Sequence, residues 1–467
     1  MIIKFLDQIY CQVIPKTDIQ LIKSCLEYPA EHWKQGPFRM VKKTRTACLC
    51  DQRSGRFLAG LYPRVVKYCR DNAIVADTQP LLDTLRAGKP SLPGIDLRED
   101  QYVLLQKVDQ YKRGLLVAPP GIGKTVLAGA IISQYPKSKA VMVTHTNSLF
   151  TQTIENFQRW FGEENVGVIG DSIYQPNRVN VVMSKTAFSI CARDEDGKYP
   201  NEKYKGFFDL LASTDVLIID EAHHCGQLKG SYSDIFERCL ATIRIGLTAT
   251  PVQKKKEALV CEGFLGPIIG QLTIQEGMEK GLLAVPKVKL IPVPLNTAIG
   301  EYKSYRDIYK HGIIMNKARN RLIVKEAEER VANGETVLIM ITDVVHEQGI
   351  MLQEMGRDIY DLDIELVQGS TETETRERIK KALQSKQARC VIATTIWREG
   401  VNIPSLDCVI WASGGKSDIA TLQGLGRGLR TTDEKKTFTI VDFLDPYKYL
   451  SGHTIQRLRV YVENGCL

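Results

Sequence analysis

The sequence predicts an α/β fold with two tandem parallel-sheet domains and a small α+β N-terminal domain. Its 467 residues exceed what one hydrophobic core accommodates, and about two or three domains of ordinary size are expected. Short apolar runs alternate with helical stretches, which is the pattern of repeated βαβ units around a parallel sheet. Because this pattern occurs in two successive series, two α/β domains are the most economical interpretation.

The strands of each series are predicted from short apolar segments bounded by polar residues. The first series contains segments 114–118, 140–144, 179–183, 216–220 and 244–248. The second series contains segments 336–341, 364–367, 390–393, 408–411 and 438–441. We therefore expect an N-terminal domain, a first sheet domain, a connector, a second sheet domain and a C-terminal tail at residues 1–90, 95–282, 283–315, 316–450 and 451–467.

The N-terminal domain is predicted to mix strands and helices. Residues 2–14 are rich in apolar side chains and predict extended structure, and Asp18 can cap a helix that runs toward Trp33. Two strands are expected on either side of a turn at residues 51–55, followed by a helix near residues 65–72.

The formal net charge of +8 lies almost entirely in this N-terminal domain. Residues 1–90 contain 15 Lys and Arg against 8 Asp and Glu. Such a local excess indicates a polyanionic partner, with Lys42, Lys43 and Arg45 as candidate contacts. A basic face that only keeps the protein in solution is the open alternative.

The composition argues against membrane and secreted proteins. No run of about 18 apolar residues occurs, so no membrane span is expected. Charge interrupts the apolar N-terminus at Lys4, which argues against a secretory signal and predicts a cytoplasmic protein. The 12 cysteines are scattered, and the close pair Cys48 and Cys50 lacks the further ligands of a zinc site. We therefore expect free thiols in a reducing compartment.

A phosphate-binding loop is predicted at residues 118–125, which read Ala-Pro-Pro-Gly-Ile-Gly-Lys-Thr between an apolar strand and a helix. In such a loop, backbone N–H groups and the helix N-terminus converge on phosphate oxygens. Lys124 is expected to reach the β- and γ-phosphates, and the Thr125 hydroxyl to bind Mg²⁺. Ala118 replaces the usual first glycine, so the strict motif fails by one residue. Backbone contacts are expected at Gly121, Ile122 and Gly123.

Two acidic residues, Asp220 and Glu221, end the apolar segment that begins at Val216. The carboxyl edge of a parallel sheet is where ligands bind in open α/β folds. Asp220 is expected to hold Mg²⁺, and Glu221 to polarise the water that attacks the γ-phosphate. An Asp-Glu pair after a strand is weak evidence alone, but it is strong evidence when it follows a phosphate loop.

Residues 220–223, Asp-Glu-Ala-His, make a family resemblance specific. The chain resembles a superfamily 2 helicase over about residues 95–445. This resemblance implies two RecA-like (P-loop) domains that hydrolyse ATP at the cleft between them. It also implies that Arg98 and Gln101, in the segment Leu-Arg-Glu-Asp-Gln, contact the adenine of the nucleotide.

The same resemblance implies functional residues in both halves of the chain. Coupling of the nucleotide state to the grip on nucleic acid is expected from His223, Thr248 and Thr250. In the second domain, the nucleotide is expected to lie near Gly400 and Gln423, with arginine fingers at Arg427 and Arg430. These two arginines are three positions apart on a predicted helix, so both can project from one face toward the γ-phosphate.

Contacts to the nucleic-acid backbone are expected from hydroxyls, amides and cations that follow strands. By motif match the candidates are Thr146, Asn147, Ser184, Lys185, Thr394, Thr395 and Arg398. Ser and Thr after strands also cap helices, so for a single residue the two roles are equally supported. Taken as a set, the residues favour nucleic-acid contact.

Residues 262–284 and 316–320 resemble the XPB-like and phage UvsW-like branch of the superfamily, whose members translocate on DNA and remodel branched structures. The resemblance implies an ATP- and Mg²⁺-dependent DNA helicase or translocase that acts on forked or branched DNA in replication, recombination or repair. We expect a monomer that works with recombination or replication proteins. Three alternatives stay open: an RNA-remodelling helicase, a DNA-translocating subunit of a restriction or repair complex, and a nucleic-acid clamp without catalysis.

Overall fold

The computed structural model describes residues 1–35, 40–79, 85–192, 205–228, 232–252, 254–342, 346–394, 406–415 and 437–467. The chain divides into two compact units. The first unit contains Met1–Ala118 and Gly123–Gln271, and the second contains Pro119–Ile122 and Leu272–Leu467. Each unit is built around a predominantly parallel sheet, which confirms the predicted α/β fold class.

A small α+β subdomain begins the first unit. Its strands are β1 (Ile2–Phe5), β2 (Tyr10–Ile14), β3 (Glu27–Gln35), β4 (Met40–Cys48), β5 (Cys50–Asp51), β6 (Arg56–Leu58) and β7 (Asp77–Gln79). Its helices are α1 (Ile19–Ile22) and α2 (Tyr62–Asp71). Strands β5, β6, β2, β1 and β7 lie side by side in one sheet that is antiparallel except for the β1–β7 pair. Strands β3 and β4 form a separate antiparallel hairpin.

The expected helix from Asp18 to Trp33 is wrong. Helix α1 covers only four residues, and after a 3-10 turn the chain continues as β3. Pro29 explains the difference, because proline lacks the N–H group that an α-helix needs and disfavours helix at the residue before it. The pairing of β3 with β4 satisfies the backbone groups instead. The strands expected around residues 51–55 and the helix after them are confirmed by β5, β6 and α2.

A large sheet forms the centre of the first unit. Its strands are β8 (Arg113–Val117), β9 (Ala140–Thr144), β10 (Val166–Gly170), β11 (Ile173–Gln175), β12 (Val179–Met183), β13 (Val216–Asp220), β14 (Ile243–Thr248) and β15 (Ile268–Gln271). They lie in the order β11-β10-β12-β9-β13-β14-β8-β15 and are parallel except for the β10–β11 pair. The helices are α3 (Glu99–Tyr111), α4 (Lys124–Ser133), α5 (Asn147–Phe161), α6 (Ser184–Cys191), α7 (Lys205–Ala212), α8 (Tyr232–Phe236) and α9 (Lys255–Leu265).

Both faces of this sheet are buried, which explains why its strands are uninterrupted apolar runs. In β13, Leu217 and Ile219 belong to one buried hydrophobic cluster, and Val216 and Ile218 belong to another. Successive side chains of a strand point to opposite faces, so the two clusters lie on opposite faces of the sheet. A doubly covered parallel sheet needs apolar residues at every position.

The N-terminal subdomain shares a hydrophobic core with the large sheet. Val65 in α2 belongs to the same buried cluster as Leu115 in β8. Gly60 permits a close approach to α9, because a Cβ atom at this position would lie 2.1 Å from the backbone oxygen of Glu262. Arg64 pairs with the Glu262 carboxylate at N–O distances of 2.9 and 2.5 Å. The subdomain is therefore packed as an integral part of the first unit.

The second unit contains a wholly parallel sheet in the order β16-β21-β20-β17-β19-β18. Its strands are β16 (Val285–Pro292), β17 (Val337–Met340), β18 (Glu365–Val367), β19 (Cys390–Ala393), β20 (Cys408–Trp411) and β21 (Thr437–Leu444). Its helices are α10 (Ile274–Glu279), α11 (Thr297–Gly300), α12 (Tyr305–Tyr309), α13 (Lys317–Ala332), α14 (His346–Tyr360), α15 (Thr373–Gln384) and α16 (Leu450–Glu463).

The segments expected as a connector and a tail contribute to this framework. Part of the connector forms the edge strand β16, where Pro286 and Pro292 are tolerated because an edge strand has unpaired backbone groups. The tail forms α16, whose Arg457 is buried and donates from Nε to an Asp442 carboxylate oxygen at 2.8 Å. The domain boundaries themselves stay predictions.

The 12 cysteines are free thiols, as expected. The sulfur atoms of Cys48 and Cys50 lie 2.8 Å apart. Among the described residues, no group of three or more His, Cys, Asp and Glu side chains is arranged to hold a metal ion. No described helix combines the length and apolar character needed to cross a membrane.

Candidate active site

Functional residues predicted from separate segments meet at one edge of the large sheet. Strands β9, β13, β14 and β8 are successive parallel neighbours, so their carboxyl ends lie at the same edge. The predicted phosphate loop follows β8, Asp220 ends β13, Thr248 ends β14 and Thr146 follows β9. This edge is where open α/β sheets bind their ligands.

The phosphate loop adopts a backbone that favours glycine. Gly121 and Gly123 have φ angles of +91° and +88°, and a Cβ atom on Gly123 would lie 3.3 Å from Nε2 of Gln101. Lys124 begins α4, and its Nζ atom donates to the Ala118 carbonyl at 3.3 Å. The ammonium group therefore lies over its own loop, beside the N-terminus of a helix that favours an anion.

The segment expected to contact adenine begins α3. Gln101 is only 2% exposed, and its Oε1 atom accepts a hydrogen bond from the Arg98 backbone N–H at 3.1 Å. The Arg98 guanidinium pairs with both oxygens of Asp100, each at 3.0 Å. The structure thus places Gln101 beside Gly123 and engages Arg98 in an ion pair. Their contacts with adenine stay predictions.

The two acidic residues after β13 differ in electrostatic environment. Asp220 is 7% exposed, and burial together with the neighbouring Glu221 raises its pKa above the ordinary range. Burial alone would also raise the pKa of Glu221, but the nearby His223 imidazole and the charge of Lys124 lower it. Asp220 therefore favours a cationic partner, while Glu221 stays ionised.

Glu221 also has a strained backbone. Its φ of +50° lies in the left-handed region, which side chains other than glycine rarely adopt. The residue directly precedes a 3-10 turn at Ala222–Cys225. Strained conformations of this kind are concentrated at functional sites, where the surrounding structure holds them in place.

The residues predicted to couple nucleotide and nucleic acid are in contact. The Nδ1 atom of His223 lies 3.3 Å from Oε2 of Glu221 and 3.1 Å from Oγ1 of Thr248. Thr248 in turn donates from Oγ1 to the Thr250 carbonyl at 2.8 Å. One imidazole therefore joins the acid loop after β13 to the end of β14. The coupling role assigned to these three residues stays a prediction.

Two further histidines join this site, and the sequence analysis assigned them no role. His145 follows β9, and its ring stacks on that of His224 with centroids 4.1 Å apart and an interplanar angle of 17°. The His224 ring lies 4.2 Å from that of His223. Burial, and then the nearby His223 and His145, lower the pKa of His224 to about 4, so this ring is neutral near pH 7. The signal available in the sequence was a histidine shortly after each of two predicted strands.

Comparison with known families agrees with this arrangement. The model described as "Type III restriction enzyme, res subunit" matches residues 94–253, and the "Helicase conserved C-terminal domain" matches residues 316–432. The chain is an ATP-dependent helicase of superfamily 2. Both matched segments fall on the two units that carry the parallel sheets.

The helicase is similar to curated proteins over most of its length. The "DNA 3'-5' translocase XPB2" of Sulfurisphaera tokodaii is 25% identical over 73% of this chain and 80% of its own. The "ATP-dependent DNA helicase uvsW" of Enterobacteria phage T4 is 24% identical over 75% of this chain and 72% of its own. The alignment spans 64% of the length of a helicase from a Sulfolobus islandicus filamentous virus, which is 24% identical.

Among solved structures, the helicase resembles the DUF1998 helicase MrfA bound to DNA, with a TM-score of 0.57 and 14% identity. The match covers 78% of this chain and 52% of that one. At this level of identity the comparison establishes a shared fold.

Most of the residues predicted to contact nucleic acid, where the structure of the helicase describes them, lie at the ends of strands. Thr146 caps α5 by accepting from the Leu149 N–H at 3.4 Å, and Asn147 beside it is exposed. Ser184 begins α6 and is buried, whereas Lys185 is exposed. In the second unit, Thr394 follows β19 and is buried. Arg45 in β4 is exposed.

Several predicted residues lie outside the described part of the helicase. They are Thr395, Arg398, Gly400, Gln423, Arg427 and Arg430. The side chains of Lys42 and Lys43 are also outside it, although both residues belong to β4. The predicted arginine fingers and the basic hairpin contacts therefore rest on the sequence.

Proposed function

We propose that this helicase moves along DNA and remodels forked or branched DNA in replication, recombination or repair. The observation that carries the proposal is the packing of a basic subdomain onto the nucleotide-binding unit. Val65 and Leu115 share one buried cluster, and Arg64 pairs with Glu262 in α9. A duplex bound to the subdomain would thus be held at a constant position relative to the sheet that carries Glu221.

Hydrolysis of ATP is assigned to residues at the carboxyl edge of the large sheet. Lys124 and the backbone N–H groups at the start of α4 bind the phosphates. Glu221, ionised and oriented by His223, positions and polarises the attacking water. The charge of Lys124 lowers the pKa of both acids.

The residues at this edge fit a magnesium ion. A buried carboxylate and a hydroxyl are the oxygen donors that Mg²⁺ prefers, and Asp220 and Thr125 supply them. Burial and then Glu221 raise the pKa of Asp220, and a cation bound there would favour its ionised form. When bound, Mg²⁺ would neutralise charge on the phosphate oxygens.

The second unit is proposed to complete the cycle. Arg427 and Arg430 would stabilise the charge that develops on the γ-phosphate, with Gln423 and Gly400 beside the nucleotide. Closure on ATP and opening after hydrolysis would then alternate the grip of the two units on the nucleic acid. That grip is assigned to the strand-end residues Thr146, Asn147, Lys185, Thr395 and Arg398. Ser184 and Thr394 are buried, so no contact to nucleic acid is assigned to their side chains.

The N-terminal subdomain is proposed to hold duplex DNA. Its exposed cations include Arg45, Arg53, Arg56, Lys67 and Arg70. Such cations contact phosphates without reading the base sequence, which suits a protein that recognises branched structure. The hairpin of β3 and β4 carries Lys42 and Lys43 in addition.

The decisive experiment measures ATP hydrolysis by the wild type and Glu221→Gln with single-stranded DNA, linear duplex, fork, four-way junction and single-stranded RNA. We expect branched DNA to stimulate the wild type most and Glu221→Gln to be inactive. Greater stimulation by RNA than by DNA would mean that RNA, and not DNA, is the substrate. An active Glu221→Gln variant would remove the proposed role of this residue.

The contribution of the subdomain is tested by point substitutions, because deleting residues 1–90 would expose the core that it shares with the large sheet. We expect the triple variant Arg53→Ala, Lys67→Ala, Arg70→Ala to lose the preference for forks over linear duplex. Arg357→Ala is the matched control, since Arg357 is a 74% exposed cation in the second unit. An unchanged fork preference in the triple variant would contradict duplex binding by this surface.

A DNA-translocating subunit of a restriction or repair complex is the second candidate. The match of residues 94–253 to a family described as a restriction enzyme subunit favours it. Such a subunit translocates without separating strands. Displacement of a third strand from a triplex, combined with no unwinding of a fork, would favour this candidate over the first.

A further inference from the structure

His145 occupies the loop that leads from the large sheet to the proposed nucleic-acid contacts. The residue lies between the end of β9 and Thr146, which caps α5. Its Nδ1 atom is 3.5 Å from the hydroxyl of Tyr232, a buried residue at the start of α8. A ligand that moved Thr146 and Asn147 would therefore also move the His145 ring.

The His145 ring is stacked on a residue of the acid loop. The centroids of His145 and His224 are 4.1 Å apart at an interplanar angle of 17°, which is a stacked arrangement of the two rings. Because β9 and β13 are neighbouring parallel strands, the loops that follow them lie side by side. The stack joins these two loops through side chains.

From His224 the contacts continue to the proposed catalytic carboxylate. The His224 ring lies 4.2 Å from that of His223, at 40°. His223 in turn approaches Oε2 of Glu221 at 3.3 Å. Three imidazoles thus form an unbroken series of contacts between the loop after β9 and Glu221. Flat rings in van der Waals contact transmit a displacement when one ring moves toward the other, because the second ring must then shift as well.

We propose that His145 is a positioning residue that transmits nucleic-acid occupancy of the loop after β9 to Glu221, through His224 and His223. This inference rests on the proposed function, since it requires nucleic acid at Thr146 and Asn147. When nucleic acid draws the loop into place, the stacked rings set the orientation of His223, and His223 sets that of the Glu221 carboxylate. The rings act by contact, and no bond is made or broken among them.

His145 is proposed to act on the stimulation of ATP hydrolysis by nucleic acid, and not on hydrolysis itself. The quantity to measure is therefore the ratio of DNA-stimulated to basal ATPase activity. We expect His145→Ala to lower this ratio on the order of tenfold, within the roughly 5- to 150-fold range of measured couplings between sites. We expect the Kd for a labelled thymidine oligonucleotide to change less than about twofold. His145→Phe retains a flat ring and is expected to restore most of the ratio.

The series of contacts also predicts that the effects of two substitutions on the activity ratio do not add. Because both substitutions interrupt the same route, the double variant His145→Ala, His224→Ala should show about the ratio of the single variants. His311→Ala is the matched control, since His311 is likewise stacked, on Tyr302 with centroids 4.5 Å apart, but belongs to the second unit. We expect His311→Ala to leave the ratio unchanged.

The outcomes separate this inference from the proposed function. A wild type that no nucleic acid stimulates would overturn both. If nucleic acid stimulates the ATPase activity of the wild type and of His145→Ala equally, the proposed role of His145 is wrong, while the proposed function stands. A ratio that falls only because the oligonucleotide binds more weakly would make His145 a binding residue and also overturn the route. A phenylalanine variant as deficient as the alanine variant would show that the stack does not transmit the signal.

Discussion

The Nδ1 atom of His223 lies 3.3 Å from Oε2 of Glu221, within the loop that ends the β13 strand. The same nitrogen is 3.1 Å from the hydroxyl of Thr248, at the end of the next strand. Glu221 itself is held with a left-handed backbone at φ +50°. Two features therefore orient the carboxylate. One is the strained backbone of Glu221, and the other is the His223 imidazole, which also contacts Thr248 at the end of β14.

Replacing Glu221 by glycine is expected to abolish ATP hydrolysis and to stabilise the fold relative to Glu221→Gln. A left-handed conformation costs a residue other than glycine about 1–2 kcal/mol, so glycine relieves this strain in the folded state. Glycine also makes the unfolded chain more flexible, which offsets part of the stabilisation. The net advantage over Glu221→Gln should be on the order of 0.5–1 kcal/mol. Denaturant unfolding of the two inactive variants measures it. A less stable glycine variant would mean that the loop carries no backbone strain.

Replacing Gly60 by alanine is expected to destabilise the first unit by about 1–3 kcal/mol. A Cβ atom there would lie 2.1 Å from the backbone oxygen of Glu262 and 2.6 Å from that of Gly263, so the subdomain would have to move away from α9. Thermal unfolding measures the loss. Gly452→Ala is the control, since no atom lies within 4 Å of the added Cβ in α16 and alanine favours helix. Equal melting temperatures for Gly60→Ala and the wild type would show that this contact is not tight.

The sequence predicted the strands of both sheets well because buried parallel strands are continuous apolar runs. Segments 140–144, 179–183, 216–220, 390–393 and 408–411 match β9, β12, β13, β19 and β20 residue for residue. Strands β10, β11 and β15 of the large sheet were not predicted. The edge strand β16 was also missed, because it contains prolines and lysines, which an exposed edge allows. The helix expected after Asp18 was wrong because Pro29 ends it, and the chain pairs as a hairpin instead.

The site residues that belong to local sequence motifs could be predicted. Contacts between residues that only the packing of the sheet brings together could not. Gly123 and Glu221 were identified from the sequence, and the structure shows the left-handed backbone at both. The stack of His145 on His224 was not identified, because it depends on β9 and β13 being neighbours in the sheet. No local pattern in a sequence specifies which strands are neighbours.

Replacing Arg457 by methionine is expected to cost about 3–5 kcal/mol of unfolding free energy in the second unit. Its guanidinium donates to both oxygens of Asp442, at 2.8 and 2.9 Å, and both residues are almost wholly buried. Without the arginine, Asp442 would be a buried carboxylate whose charge is uncompensated. The double variant Arg457→Met, Asp442→Leu should recover much of the loss, since neither charge of this pair then stays buried. Denaturant unfolding that ranks the double variant below Arg457→Met would contradict this account.

The affinity for magnesium is expected to fall as the pH is lowered through neutrality. Burial and the charge of Glu221 raise the pKa of Asp220 to about 7, so below this value a proton competes with the metal for the carboxylate. Each pH unit below about 7 should weaken Mg²⁺ binding by up to about tenfold, with little change above it. Titration of the nucleotide-free protein with MgCl₂, followed by its melting temperature, measures the effect.

The same raised pKa gives the metal-free protein an opposite dependence on pH. The folded state keeps a proton on Asp220 up to about pH 7, whereas the unfolded chain loses it near the ordinary value of about 4. Between these values the folded state binds more protons, so the contribution of this group to stability is lost as the pH rises. Mg²⁺ replaces the proton and should restore stability above neutrality. Asp220→Asn cannot ionise, so both dependences should vanish in it; if they persist there, another group is responsible.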